Sequence, residues 1–155
     1  MKILITGVAG FIGSHISKYF ISEGYKVVGI DDLSSGKMKN IPSEVDFLNL
    51  DLTDINLLSK IPYDCEIILH LAGQSSGEIS YKDPIEDLKK NTVSTLNLIN
   101  YGIKNNCKKI LFASSMSVYG DAFCNNCGVK EGQSFEPKSC YGIGKLASEK
   151  YLNIF

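Results

Sequence analysis

Arginine and tryptophan are absent from this sequence, and all 16 basic residues are lysines. With 17 acidic residues the formal net charge is −1, so there is no excess positive charge to attract nucleic acid or an anionic membrane. Arginine is the preferred bidentate partner of phosphate groups, and the chain has none to offer to a phosphorylated ligand.

Long apolar runs are also missing, since no stretch reaches the roughly 18 apolar residues of a membrane span. The apolar residues after Lys2 are interrupted at Thr6 and Gly7, and no convincing cleavage site follows, so we expect no secretory signal. Five cysteines without an export signal are typical of free thiols in the cytosol. We therefore predict a cytoplasmic protein that binds neither nucleic acid nor membrane.

Metal binding is not expected either. Cys124 and Cys127 have the spacing of a metal-ligand pair, but no second pair of matching spacing accompanies them. His70 lies in an apolar segment and is interpreted as a core residue. Cys140 is interpreted as a bystander rather than a nucleophile.

The sequence does contain a regular alternation of apolar strands and amphipathic helices over its 155 residues. This alternation predicts right-handed βαβ units, and hence an α/β fold with a Rossmann-like, doubly wound parallel sheet of strand order 3-2-1-4-5. We expect a single dinucleotide-binding domain over residues 1–155. The predicted strands are 3–5, 26–30, 45–50, 66–71 and 109–113, and the predicted helices are 11–22, 53–60, 83–106 and 141–155.

Two details of the helices and loops are predicted as well. Thr53 is expected to cap the short second helix, and residues 33–42, 73–81 and 114–139 are expected to be loops, the first with a short helical turn. The long third helix is expected to bury one stripe, made of Leu88, Thr92, Leu96, Ile99 and Ile103.

Three glycines recur at every third position in TGVAGFIG, residues 6–13, between the first strand and the first helix. Gly7 allows a sharp turn, and Gly10 allows a phosphate to approach the backbone N–H groups that begin the helix. Gly13 allows the helix to pack against the strand. This context predicts a dinucleotide site. The alternative is a glycine-rich turn without a ligand, because the spacing is looser than G-x-G-x-x-G.

Acidic residues follow the second and third strands. Asp31 is positioned to accept hydrogen bonds from an adenosine ribose and would repel a 2′-phosphate, which favours NAD over NADP. Asp51 is positioned to reach the adenine edge, with Leu52 giving apolar contact. Taken alone, Asp51 is more typical of a helix cap or a solvated loop residue.

Three further motifs follow in order: HLAG at 70–73, ASSMSVYG at 113–120 and YGIGK at 141–145. Together with TGVAGFIG they resemble the extended short-chain dehydrogenase/reductase family of NAD-dependent nucleotide-sugar epimerases and dehydratases. Within it they are most similar to UDP-glucose 4-epimerase-like enzymes. The resemblance covers the whole chain and implies NAD as cofactor and Ser115, Tyr141 and Lys145 as catalytic residues. It also implies a cofactor-binding set made of Gly7, Gly10, Phe11, Ile12, Gly13, Asp31, Asp32, Asp51, Leu52, Leu71, Ala72, Gly73, Asn91, Ser114, Tyr141 and Lys145.

The chemistry of this set can be argued without the family. Tyr141 and Lys145 are four residues apart and share one helical face. An ammonium near a phenol favours the phenolate, which can take a proton from a sugar hydroxyl while hydride leaves the same carbon for nicotinamide. Ser115, at the end of a strand, can hydrogen-bond the reacting oxygen. The Tyr-x-x-x-Lys spacing alone is also that of a solvated helix face.

The subfamily is indicated by residues 115–117. The family's 4,6-dehydratases resemble Thr-Asp-Glu there, and the two acids supply the acid and base for the loss of water. Met116 has no titratable proton and Ser117 is a poor acid. This favours an epimerase over a dehydratase, and leaves a keto-sugar reductase or dehydrogenase open.

Members of this family are usually longer, and their second half holds most of the sugar-nucleotide pocket. We therefore expect an N-terminal portion that does not turn over nucleotide sugars alone. The alternative is a non-catalytic dinucleotide-binding module that acts by association. A homodimer through helices 84–106 and 141–155 is implied by the resemblance, with Val93 and Leu98 expected outside the core stripe and strand 109–113 without an outer neighbour.

Overall fold

The computed structural model describes residues 1–124 and 128–155, without the side chains of Leu57 and residues 122–124. Its strands are β1 (Lys2–Thr6), β2 (Lys26–Asp31), β3 (Asp46–Asn49), β4 (Ile67–His70) and β5 (Lys109–Phe112). Its α-helices are α1 (Phe11–Ser22), α2 (Gly77–Lys82), α3 (Pro84–Leu88), α4 (Ser94–Lys104) and α5 (Cys140–Leu152). The chain divides into two compact units, of residues 1–73 with 97–113 and of residues 74–96 with 114–155.

All five strands belong to the first unit and form one sheet of order β3-β2-β1-β4-β5. Every pair of neighbouring strands is parallel, and the central residue Ile3 pairs with Val27 on one side and Ile67 on the other. The predicted strand order and fold class are therefore confirmed. Among the described residues, β5 is an edge strand of this sheet, as expected.

The core of the first unit lies on both faces of the sheet because successive residues of a strand face opposite sides. Leu4 belongs to one apolar cluster, which also contains Leu98 of α4. Ile3 and Ile5 belong to a second cluster, against which Phe20 of α1 packs. Apolar side chains on both faces are what a parallel sheet covered by helices requires.

Several local predictions were wrong. Asp54, not Thr53, caps a 3-10 helix over Ile55–Lys60, because its side chain accepts a hydrogen bond from the backbone N–H of Asn56. The predicted loop 73–81 contains the start of α2, which is capped by Ser76. The predicted loop 114–139 contains 3-10 helical structure over Met116–Cys124, interrupted at Gly120.

The segment predicted as one helix over 83–106 is α3, a π-helical turn over Lys89–Val93, and α4. Asp83 begins it as a cap, accepting a hydrogen bond from the N–H of Glu86. A π-helical turn changes the rotation per residue, so one α-helical stripe cannot describe both ends. The predicted stripe is wrong at Leu88 and Ile103, which are 46% and 53% exposed. Leu98, expected outside the core, is only 1% exposed.

Leu98→Ala is therefore expected to lower the free energy of unfolding by about 2–5 kcal/mol, because it leaves a cavity in the core of the first unit. Ile103→Ala, on the same helix, removes an exposed side chain and should change that free energy by at most about 0.5 kcal/mol. Urea denaturation of both variants measures the difference. A larger loss of unfolding free energy in Ile103→Ala than in Leu98→Ala would contradict the burial of Leu98 and the exposure of Ile103 on α4.

None of the helices formed by residues 1–124 and 128–155 combines the length and the apolar character needed to traverse a bilayer.

Candidate functional site

The glycine turn of the first unit, residues 7–10, directly follows β1. Gly7 has a φ of +71°, and a Cβ there would lie 2.9 Å from the backbone N of Ala72. Its own N–H donates to the carbonyl of Ile30 at the end of β2. The turn therefore needs a residue without a side chain both for its backbone conformation and for its approach to the segment after β4.

The second feature of this region is the N-terminus of α1, where the helix leaves backbone N–H groups for other acceptors. Gly10 is the N-cap residue, none of the described side chains caps this end, and no acidic residue occurs in the first turn. The first N–H groups of a 12-residue helix thus point outward with the positive end of the helix dipole behind them, which suits an anion such as a diphosphate. A Cβ at Gly13 would lie 2.8 Å from the carbonyl carbon of Gly7, so the helix can start this close to the turn only with glycine there.

Asp31 fastens the glycine turn. It is 8% exposed, and its carboxylate accepts hydrogen bonds from the backbone N–H of Ala9 and of Leu33, each at 2.9 Å. A carboxylate has further acceptor positions beyond these two, so the predicted contact with a ribose stays open to it. The adjacent Asp32 accepts hydrogen bonds from the N–H and the hydroxyl of Ser34.

Asn40 is a residue of this region that the sequence pattern did not indicate. Its side-chain NH₂ donates to the carbonyl oxygen of Ala9 at 2.8 Å, and the N–H of Lys37 donates to the same oxygen. Ala9 is therefore held at its N–H by Asp31 and at its carbonyl by segment 37–40, in which Met38–Asn40 form the expected short helical turn, a 3-10 helix. The spacing of apolar residues does not predict this contact, because Asn40 lies in a polar segment.

Asp51 and Leu52 follow β3. One carboxylate oxygen of Asp51 accepts a hydrogen bond from the N–H of Thr53 at 2.9 Å, as a turn residue does. Leu52 is 5% exposed because its side chain belongs to the core, while its carbonyl accepts a hydrogen bond from Asn97. Their predicted contacts with adenine stay predictions.

The motif at 70–73 continues β4 into a hydrogen-bonded turn. The hydroxyl oxygen of Thr6 accepts hydrogen bonds from the N–H groups of Leu71 and Ala72. Its single proton is then left for Nδ1 of His70, 2.8 Å away. His70 is 1% exposed, so it is a core residue, as interpreted from the sequence. Gly73, the end of the motif, is exposed.

The second unit contains the remaining predicted residues: Ser114, Ser115, Tyr141, Lys145 and Asn91. Ser114 is exposed, and Ser115 is half-buried with its Oγ accepting from the N–H of Ser117 and donating to the Ser117 hydroxyl. A Cβ at Gly142 would lie 2.6 Å from the carbonyl oxygen of Ser117. The first turn of α5 therefore packs closely against the segment that follows Ser115.

Tyr141 and Lys145 lie on one face of α5, as their spacing predicts. The helix begins with Ser139 as its cap, which accepts a hydrogen bond from the N–H of Gly142. The Lys145 ammonium lies 5.9 Å from the centre of the Tyr141 ring, and Lys145 is 5% exposed. The interpretation of this spacing as a solvated helix face is therefore wrong for Lys145.

Asn91 lies in the π-helical turn and is 1% exposed. Its NH₂ group donates to the carboxylate of Asp87 and to the carbonyl of Gln74. The backbone carbonyl oxygen of Asn91 accepts hydrogen bonds from the hydroxyls of Thr95 and Ser148. Asp87, Gln74 and Ser148 were missed from the sequence, although the i, i+4 spacing of Asp87 and Asn91 is visible there.

Burial controls the charges in this unit. Loss of water around Lys145 lowers the pKa of its ammonium to about 8, and the negative charge of Asp87 opposes this effect. Burial likewise raises the pKa of the Asp87 carboxyl, against the donors on Gln74 and Asn91 and the charge of Lys145. An ammonium with a pKa of about 8 is still mostly charged at neutral pH.

Other sequence candidates add little to this site. Within residues 1–124 and 128–155, no three metal-binding side chains gather in one place. Cys127 and the side chain of Cys124 lie outside the described residues. Cys65, Cys107 and Cys140 are free thiols.

Comparison with known proteins gives a family and a set of relatives. A model of the NAD-dependent epimerase/dehydratase family matches residues 3–155. UDP-glucose 4-epimerase of Mycolicibacterium smegmatis is 36% identical over 162 residues, which cover 100% of this chain and 51% of that protein. The corresponding enzyme of Halalkalibacterium halodurans is 34% identical, over 99% of this chain and 46% of that protein. The chain thus spans about half the length of these curated relatives.

Solved structures of such enzymes are similar as well. UDP-glucose 4-epimerase of Thermus thermophilus, in complex with NAD, superimposes with a TM-score of 0.94 at 34% identity over 99% of this chain and 50% of that one. The enzyme of Thermotoga maritima, with UDP-glucose, gives a TM-score of 0.92 at 37% identity, with the same coverage of 99% and 50%.

Proposed function

The chain belongs to the NAD-dependent epimerase/dehydratase family, and from this membership we propose that it is the cofactor-binding and proton-transferring part of a nucleotide-sugar epimerase. The observation that carries the proposal is the pair of Tyr141 and buried Lys145 on one face of α5, packed against the segment after Ser115. Bound NAD would supply a hydride acceptor that later returns the hydride to the same sugar carbon.

The first unit would bind the cofactor. The open N-terminus of α1 and the glycine turn fit a diphosphate, since a side chain at Gly7 or Gly13 would collide with backbone. Asp31 would accept a hydrogen bond from a ribose hydroxyl, using lone pairs of its carboxylate that the N–H groups of Ala9 and Leu33 do not occupy. A ribose 2′-phosphate would place a second negative charge beside this carboxylate, so the site favours NAD over NADP.

The second unit would move the proton. The phenolate of Tyr141 takes the proton of the reacting sugar hydroxyl, and the Lys145 ammonium stabilises that phenolate. The Ser115 hydroxyl would donate a hydrogen bond to the reacting oxygen in place of its hydrogen bond to the Ser117 hydroxyl, and would keep its proton. Met116 is 63% exposed and carries no titratable proton, so no acid or base for a 4,6-dehydration follows Ser115 directly.

Two measurements test this function. Calorimetric titration of the 155-residue chain should show NAD binding, with NADP at least about tenfold weaker because of Asp31. The whole protein that contains this chain should interconvert UDP-glucose and UDP-galactose, the reaction implied by the names of its relatives. Equal affinity for the two cofactors contradicts the role of Asp31. NAD binding without any sugar-nucleotide turnover by the whole protein would favour the non-catalytic module instead.

A second copy of the chain is the partner that we expect. We infer a homodimer through the segments 84–106 and 141–155, which carry exposed apolar side chains: Ile85, Leu88, Ile103, Ile143, Tyr151, Ile154 and Phe155. Covering such side chains favours association. Static light scattering at tens of micromolar is expected to give twice the mass of one chain, and a mass of one chain contradicts the inference.

A further inference from the structure

Asp87 is a buried carboxylate without a role in the chemistry described so far. It is 1% exposed, and among the described residues of the second unit it is the one acidic side chain that is buried. Burying a carboxylate is costly unless hydrogen-bond donors and a positive charge compensate for the lost water. The groups around Asp87 should therefore include hydrogen-bond donors and a positive charge.

Two donors from different parts of the second unit meet at Asp87. The Gln74 NH₂ group donates to its Oδ1 at 2.8 Å, and the Asn91 NH₂ group donates to the same oxygen at 2.9 Å. The backbone carbonyl of Gln74 also accepts a hydrogen bond from the Asn91 NH₂ group, and the Gln74 NH₂ group donates to the backbone carbonyl of Ser76. The carboxylate thus joins the segment 74–76 after β4 to the π-helical turn.

The other oxygen of Asp87 faces α5. A Cβ at Gly144 would lie 3.6 Å from Oδ2 of Asp87 and 3.3 Å from Cβ of Asn91, so this part of α5 is in contact with the carboxylate. The carbonyl of Gly144 also accepts a hydrogen bond from Thr92. Lys145, the next residue, is buried too, and its charge interacts with that of Asp87.

We propose that Asp87 is a positioning residue for proton transfer: Gln74 and Asn91 hold its carboxylate in place, and the carboxylate keeps the Lys145 ammonium charged. This inference rests on the proposed function for its role in the reaction. The pairing itself rests on the burial of both side chains and on the packing of Gly144, next to Lys145, against the Asp87 carboxylate. Without the carboxylate, the burial that already lowers the pKa of Lys145 to about 8 would act unopposed. Lys145 would then be neutral at a pH at which it has to stabilise the Tyr141 phenolate.

Two further ion pairs lie on or beside the helices packed against α5. Lys82 of α2 binds Glu78 one turn away, and Lys89 lies 3.8 Å from Glu86 next to α3. Both pairs are exposed, so solvent and salt screen them from Asp87. On α5, Tyr141 lies four residues before Lys145, and the half-buried Glu149 lies four residues after it.

The pairing is tested by titrating Lys145 in the 155-residue chain with ¹³C-lysine labelling, the resonance being assigned by its absence in Lys145→Met. In the unaltered chain the Lys145 Cε resonance should titrate near pH 8. In Asp87→Asn the midpoint should fall by roughly one pH unit or more, because the carboxylate charge is lost. Glu86→Gln removes the same charge from the neighbouring, more exposed position and should leave the midpoint unchanged. An unchanged midpoint in Asp87→Asn would overturn the proposal.

A second measurement needs no variant at position 87. Because the coupling is reciprocal, the Lys145 resonance of the unaltered chain should show an additional step in acid, when Asp87 takes up its proton. Absence of that step also overturns the pairing. Neither titration uses NAD or a sugar, so a coupled pair in a chain that binds no NAD would remove the proposed function and leave the pairing intact. In an active whole protein, the basic limb of the kcat–pH profile should move to lower pH in Asp87→Asn, and an unmoved limb excludes the positioning role.

Discussion

Replacing Gly13 by alanine should weaken NAD binding by at least about 100-fold, which corresponds to about 2.7 kcal/mol. The added Cβ would lie 2.8 Å from both the carbonyl carbon of Gly7 and Cα of Val8, and closer still to the carbonyl oxygen of Gly7. All of these are backbone atoms of the turn that would hold the diphosphate, so α1 and the turn must move apart. Calorimetric titration with NAD measures the loss, and thermal denaturation measures the accompanying strain.

Two further glycines separate loss of the site from loss of the fold. A Cβ at Gly10 would meet only the carbonyl oxygen of Gly7, at 3.2 Å, so Gly10→Ala should fold almost normally and still weaken NAD binding by crowding the N-terminus of α1. Gly77 begins α2 with open space around it, so Gly77→Ala should bind NAD as the unaltered chain does. Normal NAD binding by a folded Gly10→Ala variant would contradict a phosphate site at this helix end.

The glycine turn is the part of the site that the sequence predicts best, because each of its features is local. A strand, a tight turn and a helix follow one another within residues 2–22, and each glycine is constrained by a neighbour in this stretch or in the segment after β4. The strand order follows from the same local alternation, because crossover connections between parallel strands have one hand. Local pattern and tertiary structure therefore agree in the first unit.

The second unit is predicted less well because its interior is polar. Asp87, Asn91 and Lys145 are all buried, whereas patterns of apolar residues assign such side chains to the surface. The π-helical turn over Lys89–Val93 also changes the phase of the helix, so the apolar stripe drawn through Leu88 and Ile103 fails. The contacts of Gln74 with Asp87 and Asn91 depend on how the chain folds back after residue 74, which no local pattern contains.

The hydroxyl of Tyr141 can be removed without disturbing its surroundings. Tyr141→Phe keeps the aromatic ring over which the Lys145 ammonium lies, 5.9 Å from the ring centre. The cap of α5 by Ser139 and the close packing of Gly142 against Ser117 do not involve the hydroxyl either. The substitution therefore tests the proton transfer alone, which neither Lys145→Met nor a change at Gly142 would do.

In the whole protein that contains this chain, Tyr141→Phe should lower kcat for sugar-nucleotide epimerisation by about 10²- to 10⁴-fold, the usual contribution of a positioned general base. NAD affinity should stay within about threefold, because the open end of α1 and the glycine turn are unchanged. Tyr151→Phe is the matched control: it lies on the same helix, is 40% exposed and should leave kcat unchanged. Steady-state rates and calorimetric NAD affinities of the two variants decide the assignment. A kcat for Tyr141→Phe within about tenfold of the unaltered protein would mean that another group takes the proton, since a general base supplies more than that.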